Sequence, residues 1–304
     1  MAQIAVGEAI TAGFGLIRRR PMAVLAWGMV QIGLAVGIFG LMAPFYIAIF
    51  GQLASGDEPD PMALQAASMQ MQGFSMLLNL VSAGVSALLY CAVFRAILHP
   101  EQSRWGYLRL GAAEGYTLVL MIAAYFIFAI GLLVLAIPIG IVIGILAATR
   151  AVAAAVIVGV IAAVVVLVGA VYLALRFSMA APMIVDDGKF HLMESWTLTK
   201  GHAGQLFLVT LGSVGLLLLL EILILLILFG VGTLGLSVAA GGLGNIEAFF
   251  KQSPGAILAG LAPFLAVLAI LWIPIAGAVI AIWGAPWGKA YRDLVQPDVS
   301  TTFA

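Results

Sequence analysis

A single carboxylate stands where carboxylates are costly. Glu221 lies inside Leu216-Leu217-Leu218-Leu219-Leu220-Glu221-Ile222-Leu223. A charged side chain at the centre of a bilayer costs about 2.5–3.5 kcal/mol on insertion scales. Glu221 is therefore expected to face other helices, with Gln31, Asn79 and Ser82 as the polar side chains available to meet it. Two readings stand for it. One is a proton or cation relay or a substrate contact, and the other is an interhelical hydrogen bond that only packs. The second is the commoner use of such a residue.

A second polar set gathers in Arg176 to Gly201, RFSMAAPMIVDDGKFHLMESWTLTKG. It carries Arg176, Asp186, Asp187, Lys189, Glu194 and Lys200, with Trp196 as an aromatic anchor, between two long apolar runs. Arg95 ends an earlier apolar run in the same way as Arg176. Arg95, Arg176, Glu194, Trp196 and Lys200 are thus candidates for a polar layer that holds lipid headgroups between helices. The plainer reading is arginines reaching to the interface over their own apolar stems.

Other chemistry lacks its residues. His99, His191 and His202 form no His-x-x-x-His pair and no Glu-x-x-His motif, so zinc and di-iron sites are not expected. Neither a Gly-x-Ser-x-Gly elbow nor a Gly-x-x-x-x-Gly-Lys-Ser/Thr loop occurs. The lone Cys91 excludes an intrachain disulfide and reads as a small buried hydrophobe. Met62, Met69, Met71 and Met76 have the thioethers for a soft metal but no Cys or His beside them, so gap-filling is the expected role. No catalytic residue, metal or cofactor is expected.

The elements that must position these residues follow from composition. Of 304 residues, 64% are hydrophobic and 9% charged, against about 45–50% and about 25% in soluble domains. The whole chain, 1–304, reads as one all-α polytopic transmembrane bundle. Six crossings are expected over about 21–50, 74–98, 115–147, 151–175, 205–229 and 255–283, since about 20 apolar residues span a bilayer as helix. A short amphipathic helix over residues 1–20 leads into the first, and residues 62–73 read as interfacial. Residues 230–254 read as a glycine-rich loop on the membrane surface. Pro138, Pro263 and Pro274 mark bends, and the turn at Thr149-Arg150 is short enough to leave one re-entrant unit as the alternative to crossings three and four. The small-residue pairs Gly33/Gly37, Gly140/Gly144 and Gly284/Gly288 are candidate helix contacts.

Charge sorting gives an orientation. With both termini cytoplasmic, the inside carries Arg18, Arg19, Arg20, Arg95, Arg104, Arg109, Arg176, Lys189, Lys200, Lys289 and Arg292. The outside carries Arg150 and Lys251. Basic residues inside are the expected bias, and a bacterial plasma membrane is the expected setting. The net charge of zero gives no field for nucleic acid.

An internal echo divides the chain into possible units 1–98, 99–176 and 177–292. Glu8-Ala-Ile-Thr11, Glu114-Gly-Tyr-Thr117 and Glu194-Ser-Trp-Thr197 each precede an odd-numbered crossing. If the units repeat, the three glutamates and the arginines form one polar layer.

Arg176-Phe177-Ser178-Met179-Ala180-Ala181-Pro182 and Glu194-Ser195-Trp196-Thr197-Leu198-Thr199-Lys200-Gly201, with Gly7-Glu8-Ala9 and Arg19-Arg20-Pro21, resemble the glycerophosphoryl diester phosphodiesterase membrane-domain family of bacterial integral membrane proteins. The resemblance implies membrane helices and no activity. The soluble phosphodiesterase barrel fused to some members has no counterpart in these short loops. The expected function is a non-enzymatic inner-membrane protein that binds membrane lipid or other membrane proteins and supports the envelope. The alternative is a small transporter working through Glu221.

Overall fold

A chain in lipid must satisfy its backbone N–H and C=O groups within itself, and a long apolar run does so as a helix. The computed structural model describes residues 3–54, 61–252 and 254–296. It forms six helices long and apolar enough to cross a membrane. These are α2 (Pro21–Ala54), α3 (Pro61–Leu98), α4 (Ala112–Ala148), α5 (Val152–Phe177), α8 (Ala203–Ala239) and α10 (Pro254–Val295). Between them lie α1 (Val6–Arg19), a 3-10 turn at Arg104–Tyr107, α6 (Ala180–Asp187), α7 (Met193–Leu198), a second 3-10 turn at Leu243–Asn245 and α9 (Ile246–Phe250). Among the described residues there is no strand, and the protein is an all-α multi-pass membrane bundle.

Several boundaries differ from the sequence reading. Residues 62–73 are not a separate interfacial segment but the first turns of α3. The expected loop 230–254 is largely helical, because α8 runs on to Ala239 and α9 tucks Phe249 against Gly260. Pro138, Pro263 and Pro274 lie within continuous α4 and α10 and break neither. The turn at Thr149-Arg150 joins two full helices rather than a re-entrant unit, with Arg150 at φ 61°. The acidic cluster Asp57, Glu58 and Asp60 lies outside the described residues.

Six crossings bring α1, the 99–111 loop, α6, α7 and the last turns of α10 to one end, here called the basal end. Contacts confirm the gathering. Ala5 N–H donates to Asp293 Oδ2 at 3.4 Å, and Tyr291 Oη donates to Asp186 Oδ2 at 2.9 Å. His99 Nε2 lies 3.4 Å from Asp186 Oδ1. The eleven basic residues assigned above to one side all lie at this end, and Arg150 and Lys251 at the other.

The buried core sits in the basal half, around α10. Trp27, Val93, Ala281 and Ala285 form one cluster there, and Ala9, Met179, Leu206 and Ala290 another. The most apolar stretches of α4 and α8, by contrast, bury none of their residues. Water would not tolerate such surface, whereas lipid tails solvate it as well as a protein core would. On α1 the inward stripe is Ala9, Gly13 and Leu16, with Ile4 buried just ahead of it, and Phe14 turns outward.

Glycine sets the closest helix approach. A Cβ on Gly28 of α2 would overlap the Ile273 carbonyl of α10, and one on Gly277 would overlap the Val24 carbonyl. Gly284 and Gly288 receive Val93, Phe94 and Ile97 of α3 as expected. A Cβ on Gly33, Gly37, Gly140 or Gly144 would meet nothing within 4 Å among the described residues, so these pairs set no close approach there. Gly28→Ala therefore forces α2 and α10 apart at a cost of about 1–3 kcal/mol for overpacking. Gly33→Ala gains roughly 1 kcal/mol of helix propensity. Thermal unfolding in mild detergent is expected to show a lower midpoint for the first and an equal or higher one for the second. Equal midpoints for both would dismiss the close contact.

Candidate functional site

Arg95 occupies the last buried turns of α3, where residues 91–96 are all buried. Its guanidinium is desolvated, and it finds two partners. Nη1 donates to the Tyr107 carbonyl at 3.1 Å, and Nη2 pairs with Glu114 Oε1 in the first turn of α4. Both side chains are buried, and Glu114 Oε2 has no partner. One turn further along α4, Thr117 Oγ1 accepts from Cys91 Sγ at 3.2 Å. These contacts tie α3, the 99–111 loop and α4 together. Pairing inside the bundle, not snorkelling, is what Arg95 does.

Arg176 is also buried, at 5% exposure, but it meets no carboxylate among the described residues. Its guanidinium carbon lies 4.4 Å from the Trp196 ring centroid and 5.9 Å from that of Tyr172. Aromatic faces attract a cation at such distances, while Nε stays without a hydrogen bond. The backbone fixes the arrangement. Ser195 and Thr199 of the α7 turn both donate to the Arg176 carbonyl, at 3.0 and 3.2 Å, capping the end of α5. Trp196 is thus held over the cation by its own neighbours in sequence.

Of the remaining elbow residues, Asp186 turns inward to Tyr291 and His99, while Lys189, Glu194 and Lys200 point outward. Lys200 is exposed and forms no ion pair among the described residues. Glu194 is exposed, with Oε1 3.4 Å from His191 Nδ1, while His191 Nε2 binds Asp187 Oδ2 at 2.5 Å. The hydrogen bond that the imidazole donates to Asp187 holds His191 above its usual pKa, with help from Glu194. Glu8 lies 3.1 Å from Lys289 of α10. The three echo glutamates therefore share an end but not a layer, and only Glu114 meets an arginine. What they share is the first turn of a helix, α1, α4 or α7, where the positive end of the helix dipole favours a carboxylate.

Beneath this end lies a cavity of about 350 Å³ between α3, α4, α5, α6, α8 and α10. Its walls are apolar and aromatic, with Tyr90, Phe94, Trp283 and Trp287 prominent. Its hydroxyls are already engaged. Ser178 and Thr210 donate to their own helices at 2.8 Å, and Thr117 serves Cys91. Sequence reasoning missed this cavity because its lining comes from six separate helices and carries no local motif.

Glu221 is not where the sequence reading put it. It lies on the outer face of α8 among exposed Leu218, Leu219, Ile222 and Leu225, and it has no hydrogen-bond or ionic partner among the described residues. Gln31, Asn79 and Ser82 do not reach it. The methionines Met69 and Met76 are exposed on α3, and among the described residues no cluster of His, Cys, Asp or Glu fits a metal ion.

Two outcomes test this geometry. Arg95→Met strands a buried carboxylate and is expected to lower stability by about 3–5 kcal/mol, while Arg95→Met with Glu114→Leu recovers much of the loss. Thermal unfolding of the single and double variants reads this, and a single variant as stable as the parent removes the pair from the core account. His191 is expected to titrate above its ordinary 6.5. Its raised pKa gives a small stabilisation that is whole below pH 6.5 and lost as pH rises through the folded value. In an NMR titration Asp187→Asn brings the midpoint down, and an unmoved midpoint rejects the hydrogen bond as cause. Comparison with protein-family models, curated proteins and solved structures finds no match to this chain.

Proposed function

We propose that this is a non-enzymatic protein of the bacterial plasma membrane, with its basal end cytoplasmic, that holds a membrane lipid and so supports the envelope. The observation that carries this reading is the apolar cavity among six helices. Its volume falls within the ~300–1,000 Å³ of small-molecule sites. Its hydroxyls are already bonded, so an apolar guest such as an acyl chain costs them nothing. Trp283 and Trp287 are side chains of the type that sits where acyl chain meets headgroup. Basic residues gathered at the same end agree with the orientation. The resemblance noted in the sequence is compatible with this reading and adds no activity to it. The outward Glu221 has no polar path beside it, and no observation favours a transporter.

The test is native mass spectrometry of the protein extracted in mild detergent. A phospholipid is expected to travel with it at defined stoichiometry. Ala174→Trp fills the cavity from the α5 side and is expected to release that lipid without loss of fold. A bare parent protein, or a variant that keeps its lipid, would count against the proposal.

A further inference from the structure

A second concavity lies at the same end, on the far side of the Arg95 tie from the acyl cavity. It measures about 340 Å³ and lies between Arg19, Arg20, the first turn of α2 and the Ser103–Tyr107 turn. Four independent features converge there. First, Arg19 and Arg20 of the lining, with Arg104 and Arg109 nearby in the chain, form no ion pair among the described residues. Arg20 Nη2 donates to the Pro100 carbonyl at 3.1 Å and Arg109 to Gln102 at 3.1 Å, which fixes two of these cations without neutralising them. Second, Pro21, Met22 and Ala23, the first residues of a 34-residue helix, line the cavity, which places the positive end of the α2 dipole beside it, although the Ala23 N–H is already given to the Arg20 carbonyl. Third, the backbone beside it is strained. Trp105, Gly106 and Tyr107 all have left-handed φ, at 52°, 65° and 66°, which non-glycine residues rarely adopt. The strain is held by Trp27 Nε1 donating to the Gly106 carbonyl at 2.8 Å and Arg95 to that of Tyr107. Fourth, the turn thrusts apolar groups outward, with Trp105 85% and Leu110 89% exposed.

An exposed indole on a strained turn between unpaired arginines has a coherent use at a membrane surface. Indole rings settle at the headgroup level, and guanidinium groups bind phosphate through paired N–H donors. We propose that this concavity binds the phosphate of an anionic phospholipid headgroup, with Arg19 and Arg20 on the phosphate and Trp105 anchored in the leaflet beside it. The site is separate from the acyl cavity and goes beyond it, so either reading can fail alone.

The experiment titrates the full chain in zwitterionic nanodiscs with short-chain phosphatidylglycerol, phosphatidylcholine or inorganic phosphate, read by native mass spectrometry. Phosphatidylglycerol is expected to bind at least roughly tenfold tighter than phosphatidylcholine, a preference that Arg19→Gln with Arg20→Gln removes. Arg18→Gln, outside the lining, is expected to keep it. Ser103→Glu places a negative charge in the cavity without touching an arginine and is expected to abolish binding, which guards against a double variant that merely misfolds. Ala174→Trp is expected to leave the preference intact. Equal binding of both lipids, or a preference that survives both the arginine and the Ser103 changes, overturns the proposal. Saturation by inorganic phosphate as tightly as by lipid would assign the site to a soluble anion and overturn the lipid reading.

Discussion

The basal end depends on one buried cation. Arg95 lies among fully buried neighbours on α3, and its charge must be answered inside the protein. Glu114 and the Tyr107 carbonyl answer it, and in doing so fix where α4 begins and how the 99–111 loop turns. The left-handed run at Trp105–Tyr107 persists because Arg95, Trp27 and the Tyr107 hydroxyl, which donates to the Pro100 carbonyl at 3.1 Å, over-determine it. On its other flank the same turn of α3 offers Val93, Phe94 and Ile97 to the glycines of α10. The pair therefore registers three crossings at once. Its cost in desolvation is set against specificity of arrangement more than against net stability.

A second constraint is the solvent. Lipid makes apolar exposure free, so the helices need not close on one another along their whole length. They do close where lipid ends. The hydrogen bonds that cross between elements are concentrated at the basal end, as in Asp186 receiving Tyr291 and facing His99. The helix-to-helix contacts that persist deeper rely on glycine, as at Gly28 with Ile273 and Gly235 with Phe264. This division explains how the protein carries a polar core at one end and an almost purely van der Waals interior beyond it.

The same division decides what was legible in the sequence. Crossings could be read because their length and apolarity are properties of single segments. The sorting of arginines and lysines could be read because it depends only on alternation. Cys91 was placed correctly as a buried hydrophobe, and Gly284/Gly288 as a contact. The failures concern direction around a helix axis. Glu221 sits in a run where every neighbour is leucine or isoleucine, so no periodicity distinguishes an inner face, and its outward placement was invisible. Gly28 and Gly33 are alike as sequence, two glycines in one apolar helix, and only packing separates the idle one from the touching one. Glycine in residues 230–244 signalled a loop by soluble-protein rules, yet α8 continues past Gly230, Gly232 and Gly235 to Ala239, because an unbonded backbone is costlier in lipid than poor helix propensity. The echo of Glu-x-x-Thr was visible as sequence. It marks three helix starts, whose surroundings differ.

Arg95 and Arg176 illustrate how two similar signals diverge. Each ends an apolar run, and each is buried. Arg95 has a carboxylate within reach because α4 starts beside it, and its charge is spent inside the protein. Arg176 has only the faces of Trp196 and Tyr172, since the α7 turn caps the α5 terminus through Ser195 and Thr199 and brings an indole rather than an acid. A ring face lowers the cost of a buried guanidinium but does not satisfy its N–H groups, which is why Nε remains open. The arginines of the α1–α2 junction go further, with neither acid nor ring. Along this series the positive charge is progressively less compensated from within the chain. The last members are the ones that stand at a concavity on the surface, where compensation has to come from outside.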